Sequence, residues 1–261
     1  MRSGRRRIVV DDQAFRLIEH SWPGEDAGPT IVLVHGIGMS HRYFRRLIDA
    51  LPAGARVFSV DMPGHGGLSR PHRDLDVNEM GTLLATLLRR AAIADATLVG
   101  HSMGAQWVVE AALACPDLVS TLVLLGPVVD SRHRSIRAQA LALAVDTCVE
   151  RPAANLLVLR DYLRCSIRWY AAQARHMVGY RLEERVRTLA PPVIVVRGAS
   201  DHVAGRSWCR SVVDAAPNGS LREIPGQPHN AHHSAPAAVA AVIAGAPRPL
   251  IVEERGASSR S

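Results

Sequence analysis

A chain of 261 residues in which 48% of the side chains are apolar is long enough for one large α/β domain and apolar enough to fill its core. Its 31 basic residues are all arginine, set against 24 acidic ones for a net charge of +7. With no lysine, Schiff-base, pyridoxal-lysine and Walker-type phosphate chemistry are excluded, since each needs an ammonium or amine.

No run approaches the roughly 18 continuous apolar residues of a membrane span. The basic start Arg5-Arg6-Arg7 passes into Ile8-Val9-Val10 with no apolar h-region, so a cytoplasmic protein without a signal peptide is expected. A ragged tail leads into strands near 8–10 and 15–19, then a loop from Ser21 to Pro29. Ile31-Val32-Leu33-Val34 reads as a buried strand ending in His35-Gly36-Ile37-Gly38, a glycine-bracketed turn able to aim a backbone N–H at a ligand. A further strand at 57–60 runs into Asp61-Met62-Pro63-Gly64-His65-Gly66-Gly67-Leu68-Ser69-Arg70-Pro71.

Ala96-Thr97-Leu98-Val99 is short, apolar and partly β-branched, and residues 104–114 carry Ala105, Val108, Val109, Ala112 and Leu113 at helical spacing. Between them lies Gly100-His101-Ser102-Met103-Gly104. A serine on such a sharp strand-to-helix turn is pushed out of the sheet, which makes Ser102 a candidate nucleophile. The Met103 N–H and the Ile37 N–H would supply the two donors that a tetrahedral intermediate needs.

Residues 131–189 break the strand-helix alternation. Leu141–Val145, Ala153–Leu163 and Ile167–Met177 favour helix, so this stretch is expected to form a cap between core halves at 1–130 and 190–245. Residues 131–190 hold eleven arginines against five acids. Solvated helix faces explain such an excess, and attraction of anionic substrates is the alternative; no nucleic-acid motif accompanies it. Pro192–Val196 is a buried-strand pattern followed by Arg197-Gly198-Ala199-Ser200-Asp201, and Leu221–Ile224 is followed by Pro225-Gly226-Gln227-Pro228-His229. The 28 residues from Asp201 to His229 leave room for one helix and one strand. Residues 246–261, rich in Pro, Arg, Gly and Ser, read as a loosely ordered tail.

Nucleophile, acid and histidine follow one another in the chain order of the α/β-hydrolases. From about residue 8 to 244 the sequence resembles that superfamily, through the His35-Gly36 turn, the 61–71 segment, the 100–104 pentapeptide, Gly198-Ala199-Ser200-Asp201 and Gly226-Gln227-Pro228-His229. The resemblance implies an α/β-hydrolase fold: a mostly parallel eight-stranded sheet, helices on both faces, and a helical cap inserted after strand 6. It also implies a Ser102-His229-Asp201 triad with Ile37 and Met103 as oxyanion donors, no cofactor and no metal. A small-molecule carboxylic ester is the expected substrate, or a lactone or thioester.

Several residues carry competing readings. Asp130, five residues past the Leu122–Leu125 strand, is a rival for Asp201. His232 and His233 beside His229 lack the third ligand and the carboxylate or thiolate pattern of a zinc site. His35, His65 and His101 are expected to be structural hydrogen-bonders, and Trp107 a packing residue; Trp169, Tyr170 and Met177 either line the pocket or pack the cap. Cys115, Cys148, Cys165 and Cys209, with no Cys-x-x-Cys, read as buried or incidental thiols. A serine nucleophile argues against dehalogenase and epoxide hydrolase chemistry, which in this superfamily use aspartate. C–C hydrolysis and cofactor-free perhydrolysis remain alternatives on the same triad, although the tryptophan common after the histidine in C–C hydrolases is missing from Asn230-Ala231-His232-His233. The His232–Pro236 tail is similar to that of triad-bearing small-ligand receptors and signalling proteins, a non-enzymatic alternative. No membrane or nucleic-acid partner is expected, and no oligomeric state is predicted.

Overall fold

A computed structural model describes residues 2–21, 28–149 and 152–247. The chain begins with a hairpin of β1 (Arg2–Val10) and β2 (Gln13–Ser21), joined through Asp11 and Asp12, both at positive φ as a two-residue type I′ turn requires. β1 reaches further back than the apolar pattern suggested. Arg5, Arg6 and Arg7 lie in an edge strand, where charged side chains keep the open row of backbone groups from pairing with another chain.

β3 (Thr30–Val34), α1 (Arg45–Ala50), β4 (Arg56–Asp61), α2 (Val77–Arg90), β5 (Ala96–His101), α3 (Gly104–Ala114) and β6 (Val119–Leu125) complete the first half. α4 (Ile136–Val149), α5 (Pro152–Tyr162), α6 (Ile167–Gly179) and α7 (Leu182–Arg185) follow before β7 (Val193–Gly198), α8 (Arg206–Ala215), β8 (Gly219–Ile224), α9 (Ala231–Ser234) and α10 (Pro236–Ala244). The strands form one sheet in the order β1-β2-β4-β3-β5-β6-β7-β8, parallel from β4 through β8. Residues 248–261, expected to be a loose tail, and 22–27 of the expected loop lie outside the described residues.

The near-continuous apolar runs follow from burial on both faces. Val32 and Val34 of β3, Leu122 and Leu124 of β6, and Val193 and Val195 of β7 point into the core under α2, α3 and α8. Their neighbours Ile31, Leu33, Val123, Leu125, Ile194 and Val196 point into the opposite core with α1 and α10. Trp107 of α3 is fully buried in the first of these, a packing residue. α2 starts at a capping box in which Asp76 accepts from the Glu79 amide and Glu79 from the Asp76 amide.

Strand order reverses beside β3, with β4 on one side and β5 on the other, and loops at the carboxyl ends of such strands diverge into a crevice. The turn after β3, the turn after β5 and the segments after β6, β7 and β8 all open there. At the end of β4 the buried Asp61 carboxylate accepts from Arg16 Nη1 at 2.5 Å and from the His41 amide at 2.6 Å. Burial opposes its charge, but the hydrogen bonds and charge of His41 win and hold its carboxyl at about 2. This pair of contacts ties the segment after β3 to the hairpin.

Histidine burial sets the acid limit of the fold. Burial, ahead of every other cause, lowers His20 to about 4 and His65 to about 3, and depresses His35, His101 and His232 as well. Unfolded, these imidazoles take up protons near pH 6.5; folded, they do so only at much lower pH. The folded state is therefore favoured above pH 6.5 and loses that advantage as pH falls toward 4, by up to about 1.4 kcal/mol per pH unit for each group. Thermal melts are expected to show a steep fall in Tm between pH 6 and 4.5. A Tm flat across that range would contradict the neutral buried state of these residues.

Candidate active site

The 100–104 pentapeptide forms the bend between β5 and α3. Ser102 holds φ +56°, a left-handed conformation that L-residues rarely adopt, and Met103 turns into α3. The flanking glycines serve close packing rather than unusual φ. A Cβ on Gly100 would lie 2.4 Å from the Gly104 carbonyl oxygen, and one on Gly104 would lie 2.5 Å from the Val34 and His35 oxygens. The Ser102 amide is spent on the Leu125 carbonyl at 2.9 Å, which pins the bend to β6.

Asp201 sits just past β7 and His229 just past β8. His229 Nδ1 lies 2.9 Å from Asp201 Oδ2, and both residues are buried. The other carboxylate oxygen accepts from the amides of Val203 and Ala204, each at 2.8 Å. Burial raises the cost of the Asp201 charge, yet the His229 charge and hydrogen bond together with those amides hold the carboxyl below its ordinary range. Gly126, at φ +55°, leaves room for the pair, because a Cβ there would come 2.9 Å from His229 Cε1. An ionised carboxylate at Nδ1 fixes the tautomer in which Nε2 is unprotonated. Asp130, the rival, faces elsewhere: its carboxylate is engaged by Arg132 at 2.7 Å.

The turn after β3 comes against Ser102. A Cβ on Gly36 would lie 2.9 Å from Ser102 Cβ and 3.4 Å from its Oγ, so only glycine permits this approach. His35 braces the turn, donating Nδ1–H to the Gly36 carbonyl at 2.7 Å and accepting the Met62 amide at Nε2. His65 bonds the Pro63 carbonyl, and His101 the His229 carbonyl and the Tyr43 phenol, so all three histidines hold backbone or phenol rather than facing chemistry alone. His232 is fully buried between Tyr43 and His101. Among the described residues no cluster of three His, Cys, Asp or Glu side chains is placed to hold a metal ion.

Above the bend lies a cavity of about 150 Å³ whose wall contains Gly36, Ile37, Ser102 and His229. α4 contributes Ala140 and Leu143, α5 Val158 and Tyr162, and α6 Tyr170 and Met177. Trp169 does not line it and instead is buried against Gly64. The Met103 side chain is buried outside the cavity, leaving only its backbone at the bend. Among the described residues no arginine reaches the wall. The Cys115 and Cys209 thiols are buried away from it, with burial pushing Cys209 up to about 12.

One residue had no signature in the sequence. Asp146 on α4 is 1% exposed, and both its carboxylate oxygens accept from the His229 amide, at 3.1 and 3.2 Å. It also lies 3.5 Å from the His202 amide, next to Asp201. Burial raises its carboxyl above the ordinary value. Removing an acceptor from a buried N–H costs about 1–3 kcal/mol, here at the loop that carries His229. Asp146→Ala is expected to lower kcat/KM about tenfold and Asp146→Asn, which keeps an acceptor oxygen, to recover most of the loss. Equal activity in the Ala variant and the parent would show that the contact positions nothing.

A model of the alpha/beta hydrolase family matches residues 31–242. Over 243 residues the chain is 25% identical to the 2-(acetamidomethylene)succinate hydrolase of Mesorhizobium japonicum, covering 80% of this chain and 84% of that one. It is 27% identical over 209 residues to the pyrrolizixenacetamide deacetylase of Xenorhabdus hominickii, covering 71% and 79%. The crystal structure of an enol-lactonase from Burkholderia xenovorans superposes with a TM-score of 0.76 at 19% identity, over 91% of this chain and 98% of that one. The mostly parallel eight-stranded sheet with helices on both faces is the architecture these proteins share, and the chain belongs to the alpha/beta hydrolase family.

Proposed function

We propose that the protein is a serine hydrolase that cleaves a small carboxylic ester or lactone through an acyl-enzyme. The observation that carries this reading is the buried Asp201–His229 pair, its imidazole on the wall of the cavity that also holds the left-handed Ser102. His229 takes the Ser102 proton as the hydroxyl oxygen attacks the acyl carbonyl, and Asp201 stabilises the imidazolium. The amides of Ile37 and Met103 receive the developing oxyanion; among the described residues neither N–H is engaged by another group. His229 returns the proton to the leaving alcohol, then activates water to release the acid. Residues 131–189 serve as the cap that excludes bulk water.

The cavity wall favours a short, uncharged acyl group. Apart from its imidazoles, among the described residues it carries no charged side chain, so a substrate carboxylate would be buried without a partner. A panel of p-nitrophenyl esters and lactones of graded length tests the reading. Short neutral substrates are expected to exceed carboxylate-bearing analogues by at least about tenfold in kcat/KM, since one unpaired buried charge costs several kcal/mol. Absence of turnover on every ester and lactone, with the chain folded, would remove the ester hydrolase reading and leave the receptor alternative.

A further inference from the structure

α4 and α5 are apolar on two sides. Inward they present Leu143 and Val158 to the cavity. Outward, α4 exposes Arg137, Leu141, Ala144 and Val145, at i, i+4, i+7 and i+8, α5 exposes Leu156, Leu159 and Arg160, at i, i+3 and i+4, and the turn that follows α5 exposes Leu163 and Arg164. Ile167 and Arg168 are likewise exposed at the start of α6. Leu141, Leu156, Leu159, Leu163 and Ile167 are 54–82% exposed, where a helix apolar all round is normally buried.

The exposed charges described within α4, α5 and α6 have one sign. The two carboxylates described in α4–α6, Asp146 and Asp161, are both buried inward, Asp161 against Ser40 Oγ at 2.6 Å. Arg164 approaches Asp161 at 3.8 Å, whereas Arg137, Arg160 and Arg168 have no ion-pair partner among the described residues. The same face of a second copy would set arginine against arginine. The aromatic side chains Tyr162, Trp169 and Tyr170 turn inward, so the face lacks the aromatic anchors that dominate protein interfaces. Exposed aliphatic side chains set among the arginines described on these helices match the boundary between headgroups and acyl chains of an anionic bilayer.

We propose that the outer face of α4, α5 and the start of α6 docks on an anionic phospholipid surface. Leu156, Leu159, Leu163 and Ile167 enter the acyl boundary while Arg137, Arg160 and Arg168 meet lipid phosphates.

Co-sedimentation of the full chain with phosphatidylcholine vesicles, with and without phosphatidylglycerol, tests it. Binding is expected to be at least about tenfold tighter to the anionic vesicles and to weaken as ionic strength passes about 0.15 M. Arg160→Glu/Arg168→Glu should weaken it by about fivefold per arginine removed or more, and Leu159→Asp/Leu163→Asp should abolish it, with thermal melts unchanged in both. The proposal is overturned by failure to bind any vesicle, or by equal binding to neutral and anionic ones. It is equally overturned if the parent is a dimer that the leucine variant splits, if only an acidic protein is retained, or if binding appears only when residues 248–261 are deleted.

Discussion

Ser102→Ala is expected to reduce ester turnover by roughly 10⁶-fold, the scale on which loss of a serine nucleophile removes acyl transfer. The substitution takes away one oxygen and little else. Alanine meets the same φ of +56° that serine already tolerates, and the amide that bonds the Leu125 carbonyl is unchanged. The fold should therefore survive, with a melting temperature within a few degrees of the parent, so that the lost activity reports chemistry. A fluorophosphonate probe gives the second readout: the parent should be labelled at Ser102 alone, and the variant not at all. Labelling that persists in Ser102→Ala would move the nucleophile elsewhere and end the acyl-enzyme proposal.

Much of the sheet was legible because burial on both faces writes apolar β-branched runs into the strands. The bend at Ser102 was legible for the same reason, a strand run and a helical run meeting at two glycines. What those glycines do was not: they admit neighbouring backbone to within 2.5 Å of where a Cβ would sit rather than relaxing φ. β1 was underestimated because its outer residues are arginines at a sheet edge, where burial leaves no pattern. α2 had a signature in Asp76 and Glu79, a capping box ahead of an apolar stripe, and apolar spacing alone passed over it.

Long-range contacts were the illegible part. Asp146 reaches the His229 amide across 83 positions of chain, and nothing in its own helix distinguishes it from a solvated acid. Likewise the helical character of α4, α5 and α6 was readable while their facing was not, since leucine on both sides of α5 gives no period to orient. The described arginines of this region, read as either solvated or attractive to substrate, fall outside the cavity wall.

The two candidate acids separate by geometry, and substitution should separate them by activity. Asp201→Asn is expected to cut acylation by roughly 10³- to 10⁴-fold. In the variant an amide oxygen can still accept from Val203 and Ala204, so the loop keeps its shape. The amide NH₂ then faces His229 Nδ1, which must become an acceptor, and the ring proton moves to Nε2. That nitrogen can no longer take the Ser102 proton, and the buried imidazolium loses its counter-charge at 2.9 Å. Asp130→Asn should leave acylation nearly intact, because its carboxylate serves Arg132, and the exposed part of such a pair contributes little. Rates measured by p-nitrophenol release for both variants, beside their melting curves, decide the matter. A large loss in Asp130→Asn with little in Asp201→Asn would transfer the acid to the segment after β6, and would mean that the Asp201–His229 contact is structural.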